Sequence, residues 1–389
     1  MSNKRARTLK EANEELERLR GDNYNLNKMI QHLPTEPIIS SDQSQQISDL
    51  QKKIQQLKHL RVDVRSRYQI DVAYPYNTIT PLEIRSEFNL VHAHAARLGN
   101  MLMSSFGSDR AHWTRVISNA QRDGSASEMI KWINTVPEIA RLSRYEDTES
   151  IIVEAIIMRW VCHEIFPKGL CQIVPQVEQV FADIESSMVK KHMSYNEIKR
   201  WQFYSYSGAI AHPEYAARRE VREHELATEL AKVFNFMSPP GINIVQALLE
   251  VIKSAIRLQE QLLIAQARIN FEFPSTAPSV DSSRAQLASD MLDKRDRIIC
   301  ANIMANNREI KLNNHTREEI VANLDPLCSV TPVIIYDSIT ESTSLIALCE
   351  KARVYAAWGN ETKKREFLRK ETPSLFYDLL SIESLGGWQ

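Results

Sequence analysis

The N-terminal part of the sequence repeats apolar residues at alternating steps of three and four. From residue 9 to residue 33, the a and d positions of a seven-residue repeat hold Leu9, Ala12, Leu16, Leu19, Asn23, Leu26, Ile30 and Leu33. A repeat of about 3.5 residues keeps one apolar strip of a helix against a partner helix as the two supercoil. The pattern therefore predicts a coiled-coil helix over residues 1–33.

The residues of this repeat favour a parallel homodimer. Leucine at position d is typical of two-stranded coiled coils, and a single asparagine at position a penalises shifted registers. We therefore expect Asn23 to pair with Asn23 of a second chain. The alternative is that the helix packs against the body of its own chain.

A second, shorter repeat follows a break in the helical pattern. Pro34 and Pro37 end the first helix, and residues 34–46 form a polar linker. The second coiled-coil segment is predicted over residues 47–68, and its core positions hold Ile47, Leu50, Ile54 and Leu57. We predict that both repeats contribute to one dimer interface.

The second repeat is also rich in basic residues: Lys52, Lys53, Lys58, Arg61, Arg65 and Arg67. Such a row of cations could contact nucleic-acid phosphates, although a solvated helix face is the commoner role. A leucine-zipper DNA-binding protein carries several turns of basic helix before its heptads. Only Lys4, Arg5, Arg7 and Lys10 precede or enter the first heptad here. Nucleic acid is therefore kept as an alternative partner.

Helical periodicity continues through residues 69–273, which are predicted to form a helical domain. Thr80, Pro81 and Glu83 match a helix start. One apolar face follows, consisting of Phe88, Val91, Ala95, Leu98 and Leu102. A second amphipathic face consists of Ile173, Val177, Val180, Phe181, Ile184 and Met188. A long helix is expected over residues 242–270.

The C-terminal part is predicted to be helical as well. Residues 274–283 form a linker rich in proline and serine. In the region 284–389, the pattern predicts helices over 284–304, 316–324, 345–358 and 363–380, with a short extended segment near 330–336. The predicted fold class is therefore all-α: a multi-helix bundle preceded by an N-terminal coiled coil.

The order of these segments resembles that of uncharacterised helical proteins with an N-terminal coiled coil, predicted in filamentous fungi. The resemblance covers most of residues 70–345. It is carried by Val153-Glu154-Ala155-Ile156-Ile157-Met158-Arg159-Trp160, by Gln266-Ala267-Arg268-Ile269-Asn270-Phe271 and by Pro332-Val333-Ile334-Ile335. It implies the same architecture, and it supplies neither an activity nor site residues.

Composition limits the classes of protein that fit. The 389 residues are 43% hydrophobic and 25% charged, with a formal net charge of −1, so no overall field attracts nucleic acid or an anionic membrane. The five cysteines are widely spaced and odd in number, which favours reduced thiols. The most apolar stretch, residues 151–166, is too short to span a bilayer. We expect an intracellular protein, cytoplasmic or nuclear, without a membrane partner.

The sequence contains no strong catalytic, cofactor or metal motif. His92 and His94 lie two positions apart on a predicted helix, so their rings point in different directions. The His163-Glu164 pair lacks the second histidine of a zinc-protease helix. A thiol site built from Cys162 or Cys171 with His163, His192 or His212 has no local motif to support it. We therefore expect no catalytic residues, no metal ligands and no cofactor.

An aromatic cluster is the candidate partner surface: Trp201, Phe203, Tyr204 and Tyr206, next to Lys199 and Arg200. Aromatic rings among cations can bind a partner, and they can equally fill the gap between helices. Together these features predict a non-enzymatic helical scaffold or interaction protein that dimerises through its coiled coil and binds an unidentified protein partner. The alternatives are a nucleic-acid-associated regulatory protein and an enzyme whose site is assembled from distant residues.

Overall fold

The computed structural model describes residues 48–50, 52, 79–104, 110–238, 241–265, 267–276, 284–339, 344–370 and 372–380. The chain divides into two units, Met1–Ala73 and Tyr74–Gln389. Of the first unit, only residues 48–50 and 52 are described, and they are helical.

Among the described residues, nine α-helices make up the first part of the second unit. They are α1 (Pro81–Ser104), α2 (Arg110–Arg122), α3 (Ser127–Thr135), α4 (Pro137–Leu142), α5 (Glu149–Glu164), α6 (Pro175–Lys190), α7 (Tyr195–Ile210), α8 (Tyr215–Phe234) and α9 (Ile244–Leu263).

Helix α1 begins and packs as its sequence predicts. The Thr80 backbone N–H donates to Glu83 Oε2 (2.8 Å), and the Glu83 N–H donates to Thr80 Oγ1 (3.2 Å). This reciprocal pair is a capping box, which satisfies donors left open at a helix start. The predicted apolar face is confirmed, since all five of its members are buried: Phe88, Val91, Ala95, Leu98 and Leu102.

Helix α5 is the central helix of the body. Ten of its residues are buried, among them Ile152, Ile156 and Trp160. A helix that is apolar on all sides is buried on all sides, which explains why residues 151–166 resemble a membrane span in composition without having its length. The core around α5 extends continuously to the strands described below.

Glycine is required where α1 crosses α5. A Cβ on Gly99 would lie 2.6 Å from the carbonyl oxygen of Ser150, a backbone atom that cannot move aside alone. We expect Gly99→Ala to lower the free energy of unfolding by about 1–3 kcal/mol. Gly208 of α7 is the matched control, because a Cβ there meets nothing within 4 Å.

Gly208→Ala is expected to raise the free energy of unfolding by about 0.4–1 kcal/mol, because alanine restricts the unfolded chain. Urea denaturation followed by circular dichroism gives the free energy of unfolding of both variants. Equal effects of the two substitutions would contradict the close approach of α1 to α5.

The prediction of an all-α fold is wrong, because the C-terminal part of the described chain contains two β-sheets. The strands are β1 (Arg268–Glu272), β2 (Ile298–Asn302), β3 (Arg308–Ile310), β4 (Leu324–Ser329), β5 (Val333–Ile339), β6 (Ser344–Glu350) and β7 (Ala352–Trp358). One sheet has the order β1-β5-β6 and the other the order β3-β2-β7-β4. The molecule is therefore a mixed α and β structure.

Two of the three connections between the sheets are very short. Strand β4 belongs to the four-stranded sheet and β5 to the three-stranded one, with only Val330–Pro332 between them. Strand β6 then leads back into β7 through Lys351 alone. All pairings are antiparallel except β2 with β7, which is parallel. These short connections fix the two sheets beside each other.

In the part of the chain that the structure describes, four further helices accompany the sheets: α10 (Arg284–Asp293), α11 (Arg317–Asn323), α12 (Glu361–Lys370) and α13 (Leu375–Leu380). Helices α10 and α11 cover the four-stranded sheet, where a second apolar core includes Met291, Ile320 and Val354. The body thus has a large core centred on α5 and a smaller one under this sheet.

Several predicted helices are corrected by these strands. The helix expected over 242–270 ends at Leu263, and the chain continues as β1. The helix expected over 345–358 is instead β6 and β7, and the one expected over 284–304 is α10 followed by β2. The region 363–380 holds two helices. Strands β2 and β7 are largely buried, so they lack the polar and apolar alternation that identifies a half-exposed strand. In β6 the exposed positions hold the apolar residues Ile346 and Leu348, so alternation is absent there too.

Candidate interaction surface

Helices α6 and α7 form a hairpin whose first helix is little covered by the rest of the body. None of the sixteen residues of α6 is buried. The exposed fractions of Val180 and Ile184 are 54% and 38%, and that of Val177 is 37%. We call these three residues the α6 stripe. They recur at steps of three and four, so they share one face of the helix.

A shallow groove runs along the α6 stripe. Its volume is about 350 Å³, and its lining includes Val180, Asp183, Ile184, Ser187, Met188 and Met193. Methionine side chains adapt their shape to different apolar partners. The groove is therefore an apolar surface with charged residues at its margin.

The opposite side of α6 packs against α7. Phe181 meets the rings of Trp201 and Tyr206 edge-on, with centroid distances of 5.5 and 5.3 Å. Gln202 donates a hydrogen bond to Glu185 (2.8 Å). Helix α7 begins with a capping box between Ser194 and Glu197. Edge-to-face aromatic contacts add to area burial, so the two helices hold each other in a defined orientation.

The structure divides the aromatic cluster predicted from the sequence. Tyr206 is buried and Trp201 is half-buried against α6, so these two rings fill the gap between helices. Tyr204 is 59% exposed, and Phe203 lies beside it with a centroid distance of 5.5 Å. Only Tyr204 presents most of its ring to solvent.

The turn before α6 is fixed by side chains of α8 and α9. Cys171 and Gln172 have φ values of 54° and 62°, in the left-handed region. Arg222 Nε donates to the Cys171 carbonyl oxygen (2.9 Å), and Gln259 Nε2 donates to the Lys168 carbonyl oxygen (2.5 Å). Such a backbone conformation persists only where the surroundings hold it. The hairpin therefore leaves the body at a restrained point.

A separate cleft of about 820 Å³ lies among α3, α5, α8 and β1. Its lining includes Trp132, Arg159, Cys162, Lys232 and Phe271. Burial raises the pKa of the Cys162 thiol far above its ordinary value. This cleft therefore offers a protonated thiol at neutral pH, whereas thiol catalysis needs a thiolate.

The histidines considered in the sequence take separate positions. His92 Nε2 lies 2.6 Å from Glu154 Oε1, whereas the Nδ1 atom of His94, on another side of α1, is buried without a hydrogen-bond partner. His163 Nδ1 lies 2.9 Å from Glu164 Oε1. His192 and His212 flank the two ends of α7. In the described part of the chain, no three His, Cys, Asp or Glu side chains are grouped as metal ligands.

The remaining cysteine considered as a nucleophile is also protonated. Cys171 is buried, and its desolvation raises the pKa of the thiol to about 12. Its Sγ atom lies 3.8 Å from the carbonyl oxygen of Ile165, to which the thiol donates. Cys171 is therefore part of the packing around the turn before α6.

The predicted dimer interface falls almost entirely outside the described residues: Leu9, Leu16, Leu19, Asn23, Leu26, Ile30, Leu33, Ile47, Ile54 and Leu57. Leu50 is described, and it is helical and half-buried. Of the basic row, Lys52 is described, with Nζ 3.9 Å from Asp49 Oδ1. Dimerisation and nucleic-acid binding therefore both stay predictions.

In comparisons with protein-family models, curated proteins and solved structures, nothing matches this chain. The resemblance to helical proteins of filamentous fungi therefore stays a prediction. Within the residues that the structure covers, no helix combines the length and apolar character needed to cross a bilayer.

Proposed function

We propose that this chain is a non-enzymatic helical scaffold or interaction protein. It forms a homodimer through its N-terminal coiled coil and offers the α6–α7 hairpin to a protein partner. The observation that supports the second part is the α6 stripe, three aliphatic side chains on one face of a helix that has no buried residue.

The energetic argument for the hairpin concerns apolar area. Single exposed apolar residues are common on protein surfaces, whereas a contiguous patch marks a binding site. Covering a valine or isoleucine side chain completely is worth about 1.5–3 kcal/mol. Val177, Val180 and Ile184 are already partly covered, so each gains a fraction of that amount. Their sum offsets part of the free energy that association costs, and a partner must also cover apolar residues beside the α6 stripe to supply the rest.

The non-enzymatic part of the proposal is supported by the state of the reactive groups. Burial keeps the thiols of Cys162 and Cys171 protonated. His92 is engaged by Glu154, and His163 by Glu164. The two cysteines therefore act as packing residues, and the two histidines as partners of nearby carboxylates.

The coiled coil is tested in the full chain with the double variant Leu16→Glu and Leu26→Glu. Charges at an a and a d position face each other across the predicted interface, so we expect the dimer to dissociate. Sedimentation at about 1 µM protein, where small interfaces are dissociated, should give a dimer for the wild type and half that mass for the variant.

The matched control places the same charges at outer heptad positions, with Tyr24→Glu and Asn25→Glu. This control should sediment as the wild type does. A monomeric wild type, or a Leu16→Glu and Leu26→Glu variant that keeps its dimeric mass, would overturn the coiled-coil dimer.

A further inference from the structure

The α6 stripe is the core of a short heptad pattern of its own. With Val177 and Ile184 at position a, Val180 lies at position d. Ser187 continues position d, and Lys191, the residue just after the helix, continues position a. Phe181 and Met188 then occupy the flank that faces α7, where Phe181 contacts Trp201. The pattern is that of a helix prepared for one more helical neighbour.

The outer flank of this pattern carries charges of opposite sign. Asp183 and Lys190 both occupy position g, two turns apart, and both are exposed. In an antiparallel pair of helices, position g of one helix lies beside position g of the other. A second copy of α6 therefore brings its Lys190 beside Asp183 and its Asp183 beside Lys190.

The same register sets the two Ile184 side chains in neighbouring layers about the two-fold axis. Ile184 of one helix meets Ser187 of the other, and Val180 meets the aliphatic stem of Lys191, a side chain that can keep its ammonium in water. Antiparallel helices in addition place opposite ends of their dipoles together. A parallel pair would instead set each position g beside a position e, so Asp183 would lie beside Met188 and gain no opposite charge. The face is thus complementary to its own copy in the antiparallel orientation.

We propose that α6 is a homotypic docking site, at which two copies of this chain pair antiparallel. This proposal rests on the proposed function of an interaction protein and names the partner of its hairpin. Helix α6 has sixteen residues and is therefore about 24 Å long, so the contact is small and its affinity weak. Combined with a coiled-coil dimer, a second two-fold contact links dimers into larger assemblies that grow with concentration.

Charge exchange tests this pairing in the full chain. In the Leu16→Glu and Leu26→Glu background, sedimentation equilibrium at rising protein concentration should show a monomer and dimer in exchange. Asp183→Lys or Lys190→Asp alone sets like charges together twice, so each should weaken this association about tenfold. The double exchange Asp183→Lys and Lys190→Asp restores both pairs, and the affinity should return to within about threefold of the parent.

Only self-pairing predicts this restoration, since a different protein with fixed charges would bind the double exchange worst. The proposal would be overturned if the single exchanges left the association unchanged. It would also be overturned if the double exchange associated as weakly as the single exchanges. A different observation would contradict the coiled-coil dimer, namely a dimeric mass of the Leu16→Glu and Leu26→Glu variant at low concentration.

A second measurement does not depend on the state of the coiled coil. The variant Asp183→Cys plus Lys190→Cys should form disulfide-linked dimers on mild oxidation of the otherwise wild-type chain. Seven residues separate these positions by about 10.5 Å along one helix, beyond the reach of an internal disulfide. Either substitution alone should leave the chain uncrosslinked. Equal crosslinking of the single and double variants would reject the antiparallel register.

The folding control separates binding from stability. Ile184→Glu should abolish the association and leave the urea midpoint unchanged, because the side chain is 38% exposed on a helix without buried residues. Val221→Glu on α8 is the matched control, since Val221 is 61% exposed and lies outside the α6 stripe. Loss of association in both variants would point to nonspecific apolar contact instead.

Discussion

Replacing Phe88 with alanine is expected to lower the free energy of unfolding by about 3–5 kcal/mol. The Phe88 side chain is 1% exposed and lies in the core between α1 and the three-stranded sheet. Its ring centroid is 6.2 Å from that of Phe271 on β1, and Phe271 stacks on Phe166 at 4.5 Å. Alanine removes the apolar contact and leaves a cavity where the helical body meets the sheet.

Urea denaturation monitored by circular dichroism gives this loss. Phe88→Leu keeps most of the volume and should cost less than about 1.5 kcal/mol. Leu82→Ala is the surface control on the same helix, since Leu82 is 59% exposed, and it should stay within about 0.5 kcal/mol of the wild type. A loss below 1 kcal/mol for Phe88→Ala would contradict the packing of α1 on β1.

The helices of the body could be predicted from local patterns. The face of α1 from Phe88 to Leu102 repeats at helical spacing, and Thr80 and Glu83 mark its start. Helix α11 follows Thr316, whose capping box with Glu319 places the start of α11 inside the predicted range 316–324. Both depend on residues within one or two turns of each other, which the sequence displays directly.

The strands could not be predicted in the same way, because their neighbours come from distant parts of the chain. All six residues of β4 are buried, and five of the seven in β7 are buried. Such strands show no alternation, and Leu, Ala, Glu and Lys around residues 345–352 favour a helix locally. Strand β5 is the exception, since Val333, Ile334 and Ile335 are β-branched, and it overlaps the extended segment expected at 330–336.

The α6 stripe shows a second limit of prediction from sequence patterns. The apolar face of α6, including Val177, Val180 and Ile184, has the periodicity of a helix packed into a core. The structure leaves that face uncovered, because α7 contacts α6 from the side of Phe181. Periodicity identifies an apolar face, and only the tertiary arrangement shows whether the chain covers it.

Glu138→Ala is expected to cost about 3–5 kcal/mol of the free energy of unfolding, because it leaves Arg159, an arginine mostly covered by the body, without its counterion. Glu138 Oε2 accepts a hydrogen bond from Arg159 Nη2 (3.2 Å), and the two side chains are 11% and 14% exposed. Arg159 Nη2 also donates to the Ser329 carbonyl oxygen (3.1 Å) at the end of β4. The Arg159 guanidinium lies 4.4 Å from the ring centroid of Phe273. The pair thus joins α4 and α5 to the sheet region.

The double variant Glu138→Ala with Arg159→Met separates the pair from its surroundings. A buried ion pair gains little over apolar replacements of similar size, since desolvation offsets most of its attraction, whereas one unpaired charge retains the full penalty. The double variant should therefore be more stable than Glu138→Ala alone by at least about 1 kcal/mol, although the hydrogen bond to Ser329 is lost. Urea denaturation of the wild type, Glu138→Ala, Arg159→Met and the double variant measures this coupling. Additive losses would show that Glu138 and Arg159 act independently. The ion pair between α4 and α5 would then contribute no coupling free energy to stability.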